Sequence, residues 1–313
     1  MKSKFYGAIE GGGTKFLCAV IDQDNTILAQ ERIATTMPEK TLRACLSFFR
    51  QSEYADSLST LGIACFGPLD PNPASVNYGK ILATPKPGWA NTDVVGFFNS
   101  ELGIPIGFDT DVNAAVLAEA KWGAGSGLSD VVYYTIGTGI GAGAMVNGQL
   151  LHGMIHTEMG HVRLPHDFAR DPYPGGCPFH GDCFEGLASG PAIESRWGVP
   201  ATELPPDHPA WELEAEYIAL ALQGLICTLA PQRIILGGGV MTQKQLFPLI
   251  RKKTASFLNG YIQTKDILEG IEEYIVSPGL GAQSGILGAK ALAEDKLIGF
   301  LVGRVPRPPG QFS

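Results

Sequence analysis

The chain has 313 residues, an apolar fraction of 45%, a charged fraction of 17% and a net charge of -8. That length exceeds one ordinary hydrophobic core, so two domains are expected, and the composition is globular, not disordered. The acidic balance, with a pI near 5.3, argues against the basic face that a nucleic-acid binder needs.

In chain order, residues 4–10 and 15–21 read as two apolar strands joined by Gly11-Gly12-Gly13-Thr14, a hairpin with a glycine-rich tip. The opening stretch, Met1 to Lys15, lacks the apolar core and small-residue cleavage site of a secretory signal. No run approaches the roughly 18 apolar residues of a membrane-spanning helix. A cytoplasmic location with reduced thiols is therefore expected. A third strand at about 26–33, a helix at 39–50 and a strand from Leu61 to Phe66 follow, the last ending at Gly67-Pro68. Residues 70–90 read as a long loop. Its Thr84-Pro85-Lys86-Pro87-Gly88-Trp89 stretch is aromatic and basic enough to suggest function.

A helix at 92–102 leads to a strand, Ile104–Phe108, then to Asp109-Thr110-Asp111 and a helix, Val112–Lys121. A second strand–glycine–strand unit at 130–147 echoes the first and suggests two related halves. Residues 156–186 form an irregular segment rich in His, Cys, Gly and Pro. A long helix at 210–230, a strand Arg233–Leu236, the run Gly237-Gly238-Gly239 and a helix near 281–294 complete the pattern. The tail 304–313 shows no periodicity and is read as a loose terminus, with no function assigned to it. Cys18 and Cys65, in strand-like runs, and Cys45 and Cys227, in helix-like ones, read as buried inert thiols.

Three segments bring glycine together with Thr, Ser or Lys: Gly11–Lys15, Gly137–Gly143 and Gly237–Gly239. Glycine lets backbone N–H groups converge on one anion with no Cβ in the way. None of the three is a P-loop, and none has the strand–GxGxxG–helix context of a dinucleotide fold. A tight turn explains each one alone. A nucleotide touched by a hairpin from each of two domains explains all three, as in actin-like and hexokinase-like phosphotransferases.

Asp111 lies between a strand end and a helix start. It reads either as an N-cap or as the carboxylate that accepts a hydroxyl proton during phosphoryl transfer. Asp109 competes for the second role. His161 with Cys177-Pro178-Phe179-His180-Gly181-Asp182-Cys183 offers four ligands, enough for a closed tetrahedral structural zinc. A Cys177–Cys183 disulfide is the rival. His156-Thr157-Glu158-Met159-Gly160-His161 is not the H-E-x-x-H of a metalloprotease.

The stretches Ile9 to Lys15, Thr110-Asp111-Val112-Asn113-Ala114-Ala115, Thr135 to Gly139, Glu158 to His161, Cys177 to Glu185 and Leu236 to Val240 resemble the ROK group of repressors and sugar kinases. Within it they resemble the bacterial fructokinases. The resemblance implies an α/β, two-lobed actin-like fold (hexokinase-like, ribonuclease H-like) with the nucleotide in a cleft between lobes. A small lobe of residues 1–112 plus about 290–313 and a large lobe of about 113–289, carrying the zinc loop 156–186, are expected.

It also implies Mg-ATP as donor and transfer to the 6-hydroxyl of a hexose. Asp111 falls on the family's catalytic base. Glu158, His161, Glu185, Asn113 and Gly67 fall to the sugar; on residues alone, Glu158 and Glu185 read as surface carboxylates. Gly11, Gly12, Gly13, Thr14, Lys15, Thr138, Gly139, Pro191, Gly237, Gly238, Gly239 and Val240 fall to ATP. His161 serves metal and sugar together, with Cys177, His180 and Cys183 completing the zinc set.

Glucokinase members carry Asn where Thr110 stands and open the zinc loop with Cys-x-Cys. Both departures point away from the glucokinase branch, and the loop Thr84–Trp89 and the His-containing zinc loop resemble the fructokinase branch, which implies fructose. A homodimer is implied by the family. The first hairpin begins by residue 4, so the N-terminal helix-turn-helix of the repressor branch is not expected. A kinase for another hexose (mannose or glucose), a non-catalytic sugar sensor and an actin-superfamily ATPase are the alternatives.

Overall fold

The computed structural model describes residues 4–302; the 304–313 tail lies outside them. The first part of the chain forms β1 (Phe5–Gly11), β2 (Lys15–Ile21), β3 (Ile27–Ala34), α1 (Pro38–Gln51), β4 (Leu58–Cys65), α2 (Val94–Leu102), β5 (Ile106–Thr110) and α3 (Asp111–Trp122). β6 (Val131–Ile136), β7 (Ile140–Val146), β8 (Gln149–Leu150), α4 (Phe184–Ala188), α5 (Gly190–Trp197) and α6 (Ala210–Leu229) follow. The rest holds β9 (Arg233–Gly237), α7 (Leu246–Leu258), α8 (Lys265–Leu268), α9 (Ile271–Tyr274), β10 (Ile275–Val276) and α10 (Ser284–Val302).

Helices α5 and α7 are not anticipated by the sequence pattern, because each carries a proline that reads as a breaker. Pro191 and Pro248 both sit in a first turn, where no intrahelical N–H is needed and a fixed φ suits the helix. The Ser189 hydroxyl caps α5 by accepting the Ala192 N–H at 3.4 Å.

By packing, the chain divides into two compact units. The first holds the described residues through Ala118, then His152–His156 and everything described from Gln283 onward; the second holds Glu119–Leu151 and Thr157–Ala282. The division falls inside α3 and assigns 152–156 to the first unit, which differs from the expected lobe limits at both places.

In the first unit β1, β2 and β3 are antiparallel neighbours, β4 pairs with β1 and β5 with β4 in parallel, and the order is β3-β2-β1-β4-β5. Ile9, Phe16, Val20 and Ile63 bury one sheet face against Leu42, Cys45 and Phe49 of α1 and Phe98 of α2. Each such fully buried side chain contributes about 1.5–3 kcal/mol. The alternate residues face α10. Gly62 and Gly107 are partners in register, and a Cβ on either would lie 1.7 Å from the Ala289 carbonyl oxygen or 2.2 Å from that of Leu292. Only glycine lets the helix backbone lie on the strands this closely.

The second unit repeats the connectivity: β6, β7 and β8 are antiparallel, β9 and β10 add in parallel, and the order is β10-β9-β6-β7-β8. Its core joins Val132, Tyr134 and Ile136 to Phe184, Leu187, Trp211, Ile218 and Leu222. No described helix is long and apolar enough to cross a membrane. Cys18, Cys45 and Cys65 are buried as expected, but Cys227 is exposed: helical phase turns it off the apolar stripe of α6.

Glu214 on α6 is 2% exposed, and neither carboxyl oxygen has a hydrogen-bond partner among the described residues. Burial pushes its pKa well above the ordinary carboxylate range, with Arg196 opposing. The folded chain therefore keeps a proton that the unfolded chain releases as pH passes about 4.3. With more protons bound folded than unfolded, stability falls as pH rises above that value. Glu214→Gln keeps the shape and abolishes the titration. Calorimetry should show its Tm above the parent's by several degrees, with a wider gap at pH 8 than at pH 5. No gain at either pH refutes this account of Glu214.

Candidate active site and metal centre

In the first unit, α3 is capped by Thr110, whose Oγ1 accepts the Asn113 N–H at 3.1 Å. The capping role considered for Asp111 belongs to its neighbour. Asp111 stands half-buried at the first helical position, with Oδ1 accepting the Val112 N–H at 2.9 Å. Asp109, the competing acid, is 3% exposed. Its Oδ1 accepts the Thr110 N–H at 2.7 Å and the Asn113 Nδ2–H at 2.8 Å, and its Oδ2 lies 2.7 Å from His152 Nε2. An acid held by three donors loses one of those bonds on taking a proton, so Asp109 is committed to organising the turn. Asp109 raises the His152 pKa above the ordinary imidazole value, chiefly through their hydrogen bond and against the effect of burial.

The β1–β2 tip is held from several sides. The Gly12 N–H donates to the Lys15 carbonyl at 2.8 Å, Thr35 Oγ1 donates to the Gly12 carbonyl at 2.8 Å, and Lys86 Nζ donates to the Gly13 carbonyl. A side chain at Gly13 would meet nothing within 4 Å among the described residues. The loop singled out for its aromatic and basic content thus supports this tip. Its Trp89 is buried, donates from Nε1 to the Thr36 carbonyl at 2.7 Å and stacks on Phe16 at 5.3 Å. Gly67 lies elsewhere in the same unit, against His156: a Cβ there would come within 2.9 Å of His156 Nε2.

In the second unit the remaining glycine segments converge. The Gly190 N–H donates to the Gly137 carbonyl at 2.7 Å, which sets Pro191 and the start of α5 beside the β6–β7 tip. Gly238 has φ +91°, and a Cβ there would strike the Ile136 carbonyl oxygen at 2.4 Å; one on Gly137 would lie 3.5 Å from the Gly239 nitrogen. Thr138, exposed at the tip, Gly139, Pro191 and Gly237–Val240 therefore form one cluster of main chain within this unit.

That cluster borders the expected sugar-binding groups. Glu185, on α4, accepts the Ile140 N–H at 2.9 Å, and a Cβ on Gly139 would lie 2.8 Å from Glu185 Oε2. The Glu158–His161 turn presses on the same strand end, where a Cβ on Gly160 would lie 1.8 Å from the Ile140 carbonyl oxygen. His161 Nε2 stands 4.0 Å from Glu185 Oε1.

The other ring nitrogen of His161 faces sulfur. Its Nδ1 lies 3.7 Å from Cys177 Sγ and 3.6 Å from Cys183 Sγ, while His180 Nδ1 lies 3.6 Å from Cys177 Sγ. All four ligand atoms fall within 4.8 Å of one another. Tetrahedral zinc, with Zn–S near 2.3 Å and Zn–N near 2.0–2.1 Å, sets sulfur and nitrogen about 3.6 Å apart. The residues fit the metal. Both cysteines are free thiols, which removes the disulfide reading.

His152 and His156 are not singled out as site residues in the sequence, where His156 enters only as the first residue of the rejected His156–His161 protease motif. Their partners lie 43 and 87 positions away, beyond any local signal.

The ROK family model matches residues 6–296. A fructokinase of Zymomonas mobilis is 47% identical over 93% of this chain and 96% of its own, and one of Pediococcus pentosaceus is 42% identical over 93% and 98%. The crystal structure of a ROK hexokinase from Thermus thermophilus has a TM-score of 0.75 at 24% identity, over 94% of this chain and 99% of that one. That likeness gives the fold, the actin-like ATPase fold. A family match along almost the whole length, with relatives above 40% identity over 93% of the chain, leads to one conclusion: the chain belongs to the ROK family.

Proposed function

We propose that the chain is an ATP-dependent fructokinase, converting D-fructose to D-fructose 6-phosphate. The carrying observation is identity of 42% and 47% to proteins named fructokinase, over 93% of this chain. Asp111 accepts the proton of the sugar's 6-hydroxyl. The oxygen forms its bond to the γ-phosphorus as the bond from that phosphorus to the β–γ bridging oxygen breaks, and ADP leaves. Glu158, His161, Glu185, Asn113 and Gly67 orient the sugar. Gly11–Lys15, Thr138, Gly139, Pro191 and Gly237–Val240 hold the nucleotide through backbone amides, which suits an acidic protein. Mg2+ arriving with ATP neutralises phosphate charge.

Zinc on His161, Cys177, His180 and Cys183 has a structural role in this reading, since four protein ligands leave no open position for a reactive water. A cytoplasmic homodimer is part of the same proposal and rests on the resemblance alone. The test is ADP release with fructose, glucose, mannose or no sugar. Fructose should give the highest kcat/KM. Preference for another hexose overturns the acceptor, sugar-independent ATP hydrolysis points to an ATPase, and no turnover with any sugar points to a sensor.

A further inference from the structure

Residues 152–156 form a tight turn whose two ends are histidines. His152 and His156 pair across an isolated antiparallel bridge, and the Gly153 N–H donates to the Ile155 carbonyl at 2.9 Å. Both imidazoles engage the first unit, at two places expected to meet the sugar. His152 reaches the β5–α3 turn, with Nε2 at 2.7 Å from Asp109 Oδ2 and 3.3 Å from Asn113 Nδ2. His156 Nε2 accepts the Leu69 N–H at 3.1 Å, immediately beyond Gly67-Pro68.

The protonation pattern follows from counting donors. Asp109 is buried and accepts from the Thr110 N–H and the Asn113 amide through Oδ1, so its Oδ2 takes a proton donor from His152 Nε2. His156 must present an unprotonated Nε2, because a backbone N–H points at it. The two rings are thus held in different states by different partners. The Asn113 amide is oriented by Asp109, which leaves Asn113 Oδ1 buried with no partner among the described residues. A buried acceptor without a donor marks a place where a ligand hydroxyl can enter. Asp109 and Asn113 lie two residues to either side of Asp111.

We propose that His152 and His156 are a two-point clip that positions the acceptor-sugar groups of the first unit. His152, acting through Asp109, sets the Asn113 amide and the Asp111 carboxylate, and His156 sets the Gly67–Leu69 turn. Both are positioning residues, and the inference rests on the assignment of Asp111 as base. The raised His152 pKa agrees with the contact but is not needed for it.

The test compares His152→Leu, which removes the donor, with His152→Gln, whose side-chain amide can donate to Asp109 from nearly the same place. In steady-state assays His152→Leu should lose about 10–100-fold in kcat/KM for the hexose, the scale of a small misplacement of reacting groups. KM for ATP should stay within about twofold of the parent, because the inference places no nucleotide group under His152. His152→Gln should recover most of the loss.

Unchanged hexose kcat/KM in His152→Leu overturns the proposal. So does a loss shared equally by the ATP KM and the melting temperature, or one that Gln fails to rescue. The ratios are taken on whichever hexose the parent phosphorylates best. A wrong assignment of fructose therefore changes the assay sugar and leaves this test standing.

Discussion

Asp111→Asn is expected to lower kcat by about 10²–10⁴-fold, the usual worth of a positioned proton acceptor, while hexose affinity changes little. Asparagine keeps an oxygen where Asp111 Oδ1 accepts the Val112 N–H, and Thr110, not Asp111, supplies the cap. The start of α3 should therefore survive the substitution. What is lost is the capacity to take the hydroxyl proton. Asp109→Asn makes the contrast: it weakens a buried acceptor for Thr110, Asn113 and His152 together, and should lower melting temperature as well as activity. Rapid-quench and binding measurements separate chemistry from affinity. An Asp111→Asn enzyme turning over within tenfold of the parent would remove that residue from the proton-transfer step.

Cys177→Ser is expected to take bound zinc from about one ion per chain to almost none, with activity falling alongside. Structural zinc of this ligand type contributes about 10–16 kcal/mol of apparent binding free energy, which is folding free energy for the segment it closes. The segment around it is irregular; Asp171, which accepts from Tyr217 Oη at 2.6 Å and Arg196 Nε at 3.1 Å, anchors its middle, so losing the metal should loosen the stretch next to the ligands first. Its loss should reach the sugar-binding groups directly, since His161 is itself a proposed ligand and Glu185 follows Cys183 by two residues.

Metal analysis and trypsin cleavage at Arg163 and Arg170 report the two effects separately. A chelated parent enzyme, resupplied with Mg2+ alone, should match the mutant. Burial pushes the Cys183 thiol up to about 11 without metal, so zinc has to displace a firmly held proton, and retention should weaken as pH is lowered. Full activity in a zinc-free preparation would sink the structural role.

The two hairpins were legible from sequence because each is a short-range event: two apolar runs and a glycine tip inside about twenty residues. The His/Cys cluster was legible for the same reason, as His161 through Cys183 span one segment whose residue types have few other uses. Helices α5 and α7 were not, because a proline that ends one helix can equally open another. Whether Cys227 is buried depends on the rotational phase of α6, which its neighbours in the fold decide.

By itself, then, the sequence determined the alternation of strands and glycine tips, the clustering of His161, Cys177, His180 and Cys183 and the family. Those depend on residue types at close spacing, and local covalent geometry carries them. Tertiary structure gave Asp109 and Asp111, two carboxylates only two residues apart, different partners. His152, 43 residues further on, claims one of them, and a buried carboxylate is committed by whichever donors pack around it. The same holds for Gly139 beside Glu185 and for the Gly137–Gly190–Gly239 cluster. Contacts of that range exist only after the chain has closed its long loops, and no local pattern records them.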